Sequence, residues 1–482
     1  MIAVLIVAAA LASPLPMSVD PTPAPTATAS PALPSIEGAY ALPYPAYGTP
    51  QPQVILVRPG VNVPATVTLQ AATSIAIARV PSLAAARAQV ALEAAALQLS
   101  RTGLAPNLSI SGSATNTYTQ GGSETALLTT PAGSPVQDTN QSNIASITLS
   151  QLIFDGGQIR ARIDAASLTR DATLATYRRS AQSVAYTVAT SYYQVLLDAR
   201  AVAVDVELLH QYEVSERLVR AQIGAGSEAG ADLATQLAIT ASARATLVQA
   251  QGTLQIDRVA FATALGLEAD IDVLPIDDTQ SLGTALPAAT LPAYESALTI
   301  AFAERPDFDE AGLTVRSSQA ALRAAQRGLS PTVSFAGSKG LASSSPGGGA
   351  FRNDSSLGID LSIPVYDQGI TRANIASSRA SLSIATADAA TTRLVVGQDV
   401  RQALIGIVSD RATLEQTRVA YTSSLSALRS NQAQYRAGVS TLPALVQAEA
   451  TLATAATNIV NAIYAERLAQ STLHYAMGTI LQ

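Results

Sequence analysis

The 482-residue chain has no cysteine, no tryptophan and only two histidines. Without thiols there are no disulfides, no zinc–cysteine sites, no thiol nucleophile and no lipid attached through an N-terminal cysteine. A cysteine-free chain also suits an oxidising compartment. Charge is scarce too: Asp, Glu, Lys and Arg make up 13% of residues, against a typical ~25%. The net charge of −6 includes no basic block or stripe, so no nucleic-acid partner is expected. His210 and His474 each stand alone in a helical pattern, where a histidine is usually a packing or surface residue. The glycines of "FDGGQ" lack GxGxxG spacing, and no strand leads into "AQIGAGSEAG". With no acid pair, metal cluster or Ser/His/Asp set standing out, neither catalysis nor a cofactor or metal is expected.

Long apolar runs are missing as well. The N-terminal "MIAVLIVAAALASP" opens with twelve apolar residues ending in Ala10-Leu11-Ala12. A bilayer-spanning helix takes about 20. The run reads as a signal peptide over residues 1–12, although its basic leading region is absent. Thirteen prolines follow between Ser13 and Ala65, so residues 13–70 read as an extended, disordered arm. No later segment is a candidate transmembrane helix. Proline then disappears between Pro135 and Pro275 and again between Pro364 and Pro443, which leaves room for very long helices.

The chain carries an internal duplication. "RTGLAPNLSISGS" from Arg101 matches "QRGLSPTVSFAGS" from Gln326 at an offset of 225. From about residue 146 the offset is 212: Asp155 matches Asp367, Gly157 matches Gly369, Asp198 matches Asp410 and Gly226 matches Gly438. A constant offset over more than a hundred residues means that length itself matters, as in long helices packed lengthwise. The repeats are placed at 71–285 and 286–482.

Within each repeat a period-2 region precedes a helical one. Leu108, Ile110, Ala114 and Tyr118 alternate with serines and threonines, as do Ile147, Leu149 and Ile153. In the second copy Leu357, Ile359, Leu361, Ile363 and Val365 do the same. Strands are expected at about 105–118, 143–154, 331–341 and 355–365. Their polar faces hold Ser, Thr and Asn rather than charge, which fits tilted strands in a bilayer. Helical hairpins are expected over about 157–266 and 367–478. A heptad stripe runs through Val188, Tyr192, Val195, Ala199, Val202, Val206 and Leu209, a coiled-coil seam. "FDGGQIRARI" and "YDQGITRANI" read as strand-to-helix joints: Asp155 and Asp367 cap the helix, while Gly156, Gly157 and Gly369 permit the sharp turn. Thr441 is placed to cap the last helix, with Pro443 in its first turn. Four strands cannot close a membrane barrel, and open edges are not tolerated in hydrocarbon, so several chains must share one.

"LSQLIFDGGQIRARI", "LSIPVYDQGITRANI", "ERPDF" (Glu304 to Phe308), "GLSPTVSF", "YRAGVSTLPALVQAEATL" and the closing "YAMG" cover about residues 75–482 in order. Together they resemble the outer membrane factor family, the TolC-like outer-membrane efflux proteins. The resemblance implies a homotrimer with a 12-stranded barrel in outer-membrane lipid, continued by a helical barrel through the periplasm. It implies a passive exit duct for small molecules or proteins, in tripartite efflux or type I secretion, that docks on a periplasmic adaptor and an inner-membrane pump. The docking tips fall at Gly226, Ser227 and Asp232, and at Gly438, Val439, Ser440, Thr441 and Leu442. A Tyr435–Asp232 contact is the expected entrance gate. Family members often carry acidic residues where this chain has Ala444 and Gln447, and a basic one where it has Ser440, so no strong acidic ring is expected. The rival reading is a periplasmic coiled-coil structural or adaptor protein. It accounts less well for two hairpins alternating with two strand pairs.

Overall fold

The computed structural model describes residues 64–120, 137–224, 230–268, 272–276, 291–346 and 350–481. The expected signal peptide, the arm up to residue 63, and the tip residues Gly226 and Ser227 lie outside the described residues. The arm stops short of residue 70. Thr66–Val67 (β1) pairs in parallel with Leu274–Pro275 (β4), and helix α1 (Leu69–Arg79) follows directly. Val67 is buried, and its carbonyl accepts the Ile276 N–H at 3.0 Å.

Beyond that stitch the elements come in two matching series. The first is α1, α2 (Pro81–Thr102), β2 (Asn107–Gln120), β3 (Gln137–Phe154), α3 (Gln158–Gly224) and α4 (Gly230–Ala264). The second is α5 (Tyr294–Glu304), α6 (Pro306–Gln326), β5 (Thr332–Pro346), β6 (Arg352–Ser362), α7 (Ile370–Arg436) and α8 (Leu442–Met477). α3 and α7 have 67 residues each, which is about 100 Å of helix. Among the described residues no single helix is long and apolar enough to cross a membrane. The α1–α2 pair, bent by 50°, passes on length and composition together. Ala72 and Ala76 of α1 belong to the same buried cluster as Val188 and Tyr192 of α3.

The four long strands form one antiparallel sheet in the order β2-β3-β5-β6. They depart from the sequence expectation at both ends. β3 begins at Gln137, because the polar run before Ile144 continues the ladder opposite Ala114–Gln120. Alternation reveals a strand only where apolar side chains mark one face, whereas backbone pairing continues without them. β6 ends at Ser362 rather than near 365. Pro364 lacks the N–H that a ladder needs.

The heptad stripe is buried at Val188, Tyr192 and Val195, but Val206 is exposed. A heptad stripe stays on one face only when the helix supercoils, since an ideal straight helix drifts by about 20° per heptad. In the second copy Leu414 and Leu428 are buried, with Tyr421 and Leu425 packed beside Leu428.

Candidate functional site

Register sorts the sheet into two chemically distinct faces. Leu108 lies opposite Leu149, which lies opposite Gly337, which lies opposite Leu357. Ile110 is likewise level with Ile147, and Phe335 with Ile359. Leu108, Ile110, Ile147, Leu149, Leu357 and Ile359 are all exposed to the surroundings. The other face carries Ser109, Ser111, Ser146, Thr148, Ser338 and Ser356. Ser111 and Ser146 hydroxyls lie 3.0 Å apart, and Ser338 and Ser356 hydroxyls 2.8 Å apart. Apart from Lys339, which lies opposite Ile147, the leucine and isoleucine rows suit hydrocarbon and the serine rows water. Among the described residues, the outer edges of β2 and β6 have no strand partner.

At the first joint Asp155 accepts the Gly157 N–H at 2.8 Å and the Ile159 N–H at 2.5 Å. At the second Asp367 accepts Gly369 N–H at 3.1 Å and Thr371 N–H at 2.7 Å. A hydrogen bond from the Thr371 side chain, followed by these backbone bonds, holds the Asp367 carboxyl below its ordinary value. Gly156 and Gly157 have φ of 67° and 83°; in the second copy Gln368 and Gly369 have 58° and 89°. The same turn therefore tolerates one non-glycine residue. The copies differ in surroundings. Arg327 donates to the Gly156 carbonyl at 2.6 Å, and a Cβ on Gly157 would run into the Arg327 guanidinium, whereas a Cβ on its counterpart Gly369 would meet nothing within 4 Å.

At the far end α7 closes with a Schellman motif. Gly438 (φ 71°) donates to Tyr435 O at 3.0 Å, and Val439 donates to Gln434 O at 3.0 Å. Val439 is exposed and Ser440 half-buried. Thr441 occupies the N-cap of α8, but its hydroxyl makes no capping bond; its carbonyl accepts Ala444 N–H at 3.1 Å instead. The hydroxyl cap expected there is therefore replaced by a backbone bond, with Pro443 preorganising the first turn. Leu442 is buried. Asp232 lies half-buried in the first turn of α4. Tyr435 is only 1% exposed and packs in the core with Val219, Leu445 and Leu452.

A second centre escaped the sequence reading, which used "ERPDF" only as a family marker. Arg305 is 3% exposed. It binds Asp307 in bidentate fashion, at 2.6 and 3.1 Å, and donates to Asp399 at 2.8 Å. Arg179 of α3 lies 3.7 Å from Asp307 and stacks 4.0 Å over the Tyr475 ring. Burial alone would raise the Asp307 carboxyl, but the hydrogen bonds and charge of Arg305, with the charge of Arg179, hold it below its ordinary value. Gln182 donates to Gly478 O at 2.7 Å, and Gly478 has φ 79°. α3, α6, α7 and the end of α8 are tied together here.

A Cβ on Gly478 would meet Glu304 O at 2.7 Å and Arg305 N at 3.0 Å, while one on Gly438 would meet nothing within 4 Å. Gly438→Ala should cost only the left-handed penalty, roughly 1–2 kcal/mol. Gly478→Ala adds a backbone clash and should lower the unfolding midpoint distinctly further in side-by-side thermal melts.

The helical region also buries carboxyls. Glu449 of α8, 2% exposed, accepts a hydrogen bond from Ser215 of α3, and its other oxygen has no partner among the described residues. Burial pushes its carboxyl up to about 7, against the opposing effect of Ser215. Asp198 is raised to about 7, first by burial and then by its neighbour Asp257. Asp410, its counterpart in the second copy, is raised by burial and by Glu466.

The chain matches the family model described as outer membrane efflux protein over residues 72–267 and 297–479. It is 25% identical over 288 residues to the outer membrane efflux protein BepC of Brucella suis, an alignment spanning 59% of this chain and 60% of BepC, less than two thirds of that relative. It is 23% identical over 394 residues to nodulation protein T of Rhizobium leguminosarum bv. trifolii, spanning 81% of each. Among solved structures, the outer-membrane channel OprN superposes with a TM-score of 0.73 at 20% identity, covering 85% of this chain and 89% of that one. CusC gives a TM-score of 0.74 at 20% identity, with 85% and 92% covered. At these identities the superpositions speak for the fold alone.

Proposed function

Because the chain belongs to the outer membrane efflux protein family, and so to the outer membrane with a periplasmic extension, we propose that three copies form one passive exit duct for small molecules or proteins. Three four-stranded sheets give a twelve-stranded barrel, wide enough for an aqueous lumen. The apolar face of each sheet then meets lipid and the serine face lines the lumen. The paired hairpins continue the wall as a helical tunnel. A periplasmic adaptor and an inner-membrane pump dock on the tips around Asp232 and Gly438–Leu442, and Asp232 and Tyr435 restrict the entrance.

One observation carries this reading: a four-stranded sheet with two unpaired edges, exposed apolar side chains on one face and serines on the other. An open edge in hydrocarbon leaves backbone groups unsatisfied at several kcal/mol each, so the sheet needs further copies. The test is the mass of the detergent-purified protein together with its conductance in planar bilayers. Heat-resistant trimers that conduct are expected, with higher conductance for Asp232→Ala. A protein extracted without detergent as a monomer overturns the duct. Conducting trimers unaffected by Asp232→Ala overturn the gate alone.

A further inference from the structure

We infer that in the assembled barrel β6 of one copy pairs antiparallel with β2 of a second copy in a single register, the one in which paired residue numbers add to 473. Leu361 then faces Gly112, Ile359 faces Ala114, and on the other face Asp360 faces Ser113 and Ser362 faces Ser111. This rests on the multi-chain reading above and specifies its seam.

The register follows from the duplication. β2 and β3 pair with residue numbers adding to 257, from Asn107↔Ser150 to Gln120↔Gln137. Moving β2 forward by its repeat offset of 225 and β3 by its offset of 212 turns 257 into 694. The pairs of β5 and β6, from Thr332↔Ser362 to Ala342↔Arg352, all add to 694. The two offsets therefore carry one hairpin's register onto the other without a slip. The junction between repeats within the chain is the β3–β5 pair, whose numbers add to 486 from Asn140↔Pro346 to Leu152↔Ser334. The corresponding junction between chains joins the second strand of the second repeat to the first strand of the next first repeat. Moving β3 forward by 212 and β5 back by 225 turns 486 into 473.

The parity of the faces agrees with that register. A one-residue slip would swap the faces of a strand. Odd-numbered residues of β6 such as Leu357 and Ile359 lie on the apolar face, as do even-numbered residues of β2 such as Leu108 and Ile110. An odd sum keeps the faces continuous across the seam, and 473 is odd. Nothing in the chain covers the seam either: residues 111–117 of β2 and 352–362 of β6 are exposed throughout. The β3–β5 ladder shifts only between Leu152 and Phe154. The counterparts of those residues, Pro364 and Tyr366, lie past the end of β6, so the seam inherits the unshifted part.

The native chain has no cysteine, so every disulfide in a double-cysteine variant is engineered. Directly opposed Cβ atoms lie about 4.5–5.5 Å apart and diagonal ones about 7–8 Å. A disulfide needs about 3.5–4.5 Å. Full-length Ile359→Cys/Ala114→Cys and Asp360→Cys/Ser113→Cys cover both faces, one of which holds the closer-spaced pairs. Ile359→Cys/Gly112→Cys and Ile359→Cys/Asn116→Cys are the slipped controls on the first face, and Asp360→Cys/Ser111→Cys and Asp360→Cys/Thr115→Cys on the second. Purified protein is oxidised with copper phenanthroline, and reducible dimer and trimer bands are quantified beside the native mass in detergent. At least one 473 pair should give several-fold more cross-linked product than its slipped controls. Trimers that cross-link best in a slipped pair, or in none, overturn the register and leave the multi-chain barrel standing. A monomeric mass with no intermolecular disulfide overturns both.

Discussion

Replacing Arg305 with alanine should destabilise the folded chain by about 3 kcal/mol, with the unfolding midpoint in urea falling accordingly. Removing one member of a buried ion pair typically costs about 3–5 kcal/mol, because the remaining charge stays uncompensated. Arg305 is 2% exposed at its side chain, whereas its partners Asp307 and Asp399 are 27% and 37% exposed. Those carboxylates can recover some hydration, which places the loss at the lower end. Arg305→Lys should recover only part of it. A lysine ammonium is a point charge and cannot span both oxygens of Asp307 while also reaching Asp399. The pH dependence has a definite sign. Asp307 is held below its ordinary 3.8, so its contribution is present above that value and is lost as pH falls through the lowered one. The variant should therefore differ from the native protein at pH 7 and converge with it in strong acid. An equal loss at every pH would assign Arg305 to packing and dismiss the ion pairs.

How much of this was legible before folding depended on whether a residue announced itself through a period. The constant offset of 212 required equal lengths, and α3 and α7 have 67 residues each. Alternation located the apolar core of each strand, but not the polar half of β3, because a ladder of backbone bonds needs no pattern in its side chains. Val206 marks the limit of the heptad reading. The period showed that a stripe exists but not how far it stays aimed at a neighbour. Arg305 was invisible as a centre because Asp399 is 94 residues away in sequence and Arg179 is on another helix. Glu449, by contrast, left a usable signal. Leu442, Leu445, Glu449, Leu452, Ala456 and Ile459 follow a three-four spacing, and all six are buried. A carboxyl at a seam position is a buried carboxyl by pattern alone.

That position leads to the second large effect. Glu449→Gln should flatten the pH dependence of stability between about pH 4.5 and pH 7. The native carboxyl is raised from 4.5 to about 7 because burial penalises its charge. The folded state therefore holds a proton that the unfolded chain has already released in this window. Stability is fully present below the unfolded value, declines as pH rises through the window and reaches its lower plateau above about 7. Each pKa unit corresponds to about 1.4 kcal/mol, so the span allows a loss of up to ~3 kcal/mol. The groups facing the carboxyl do little to relieve it. Ser215 supplies one hydrogen bond, the second oxygen has no partner among the described residues, and Tyr212 and Asp205 across α3 are themselves raised by burial. Glutamine keeps the shape and has no charge to desolvate. Unfolding midpoints at pH 5 and pH 8 should thus lie closer together in the variant than in the native protein, with the gain at pH 8. Asp198, also raised to about 7, leaves a residual slope of the same sign together with the raised Asp205 and Asp410, and Glu449→Gln/Asp198→Asn should reduce it further. If the single variant kept the full native slope, Glu449 would be reaching water as α8 moves away from α3, and the packing seen at Ser215 would not be the state that unfolds.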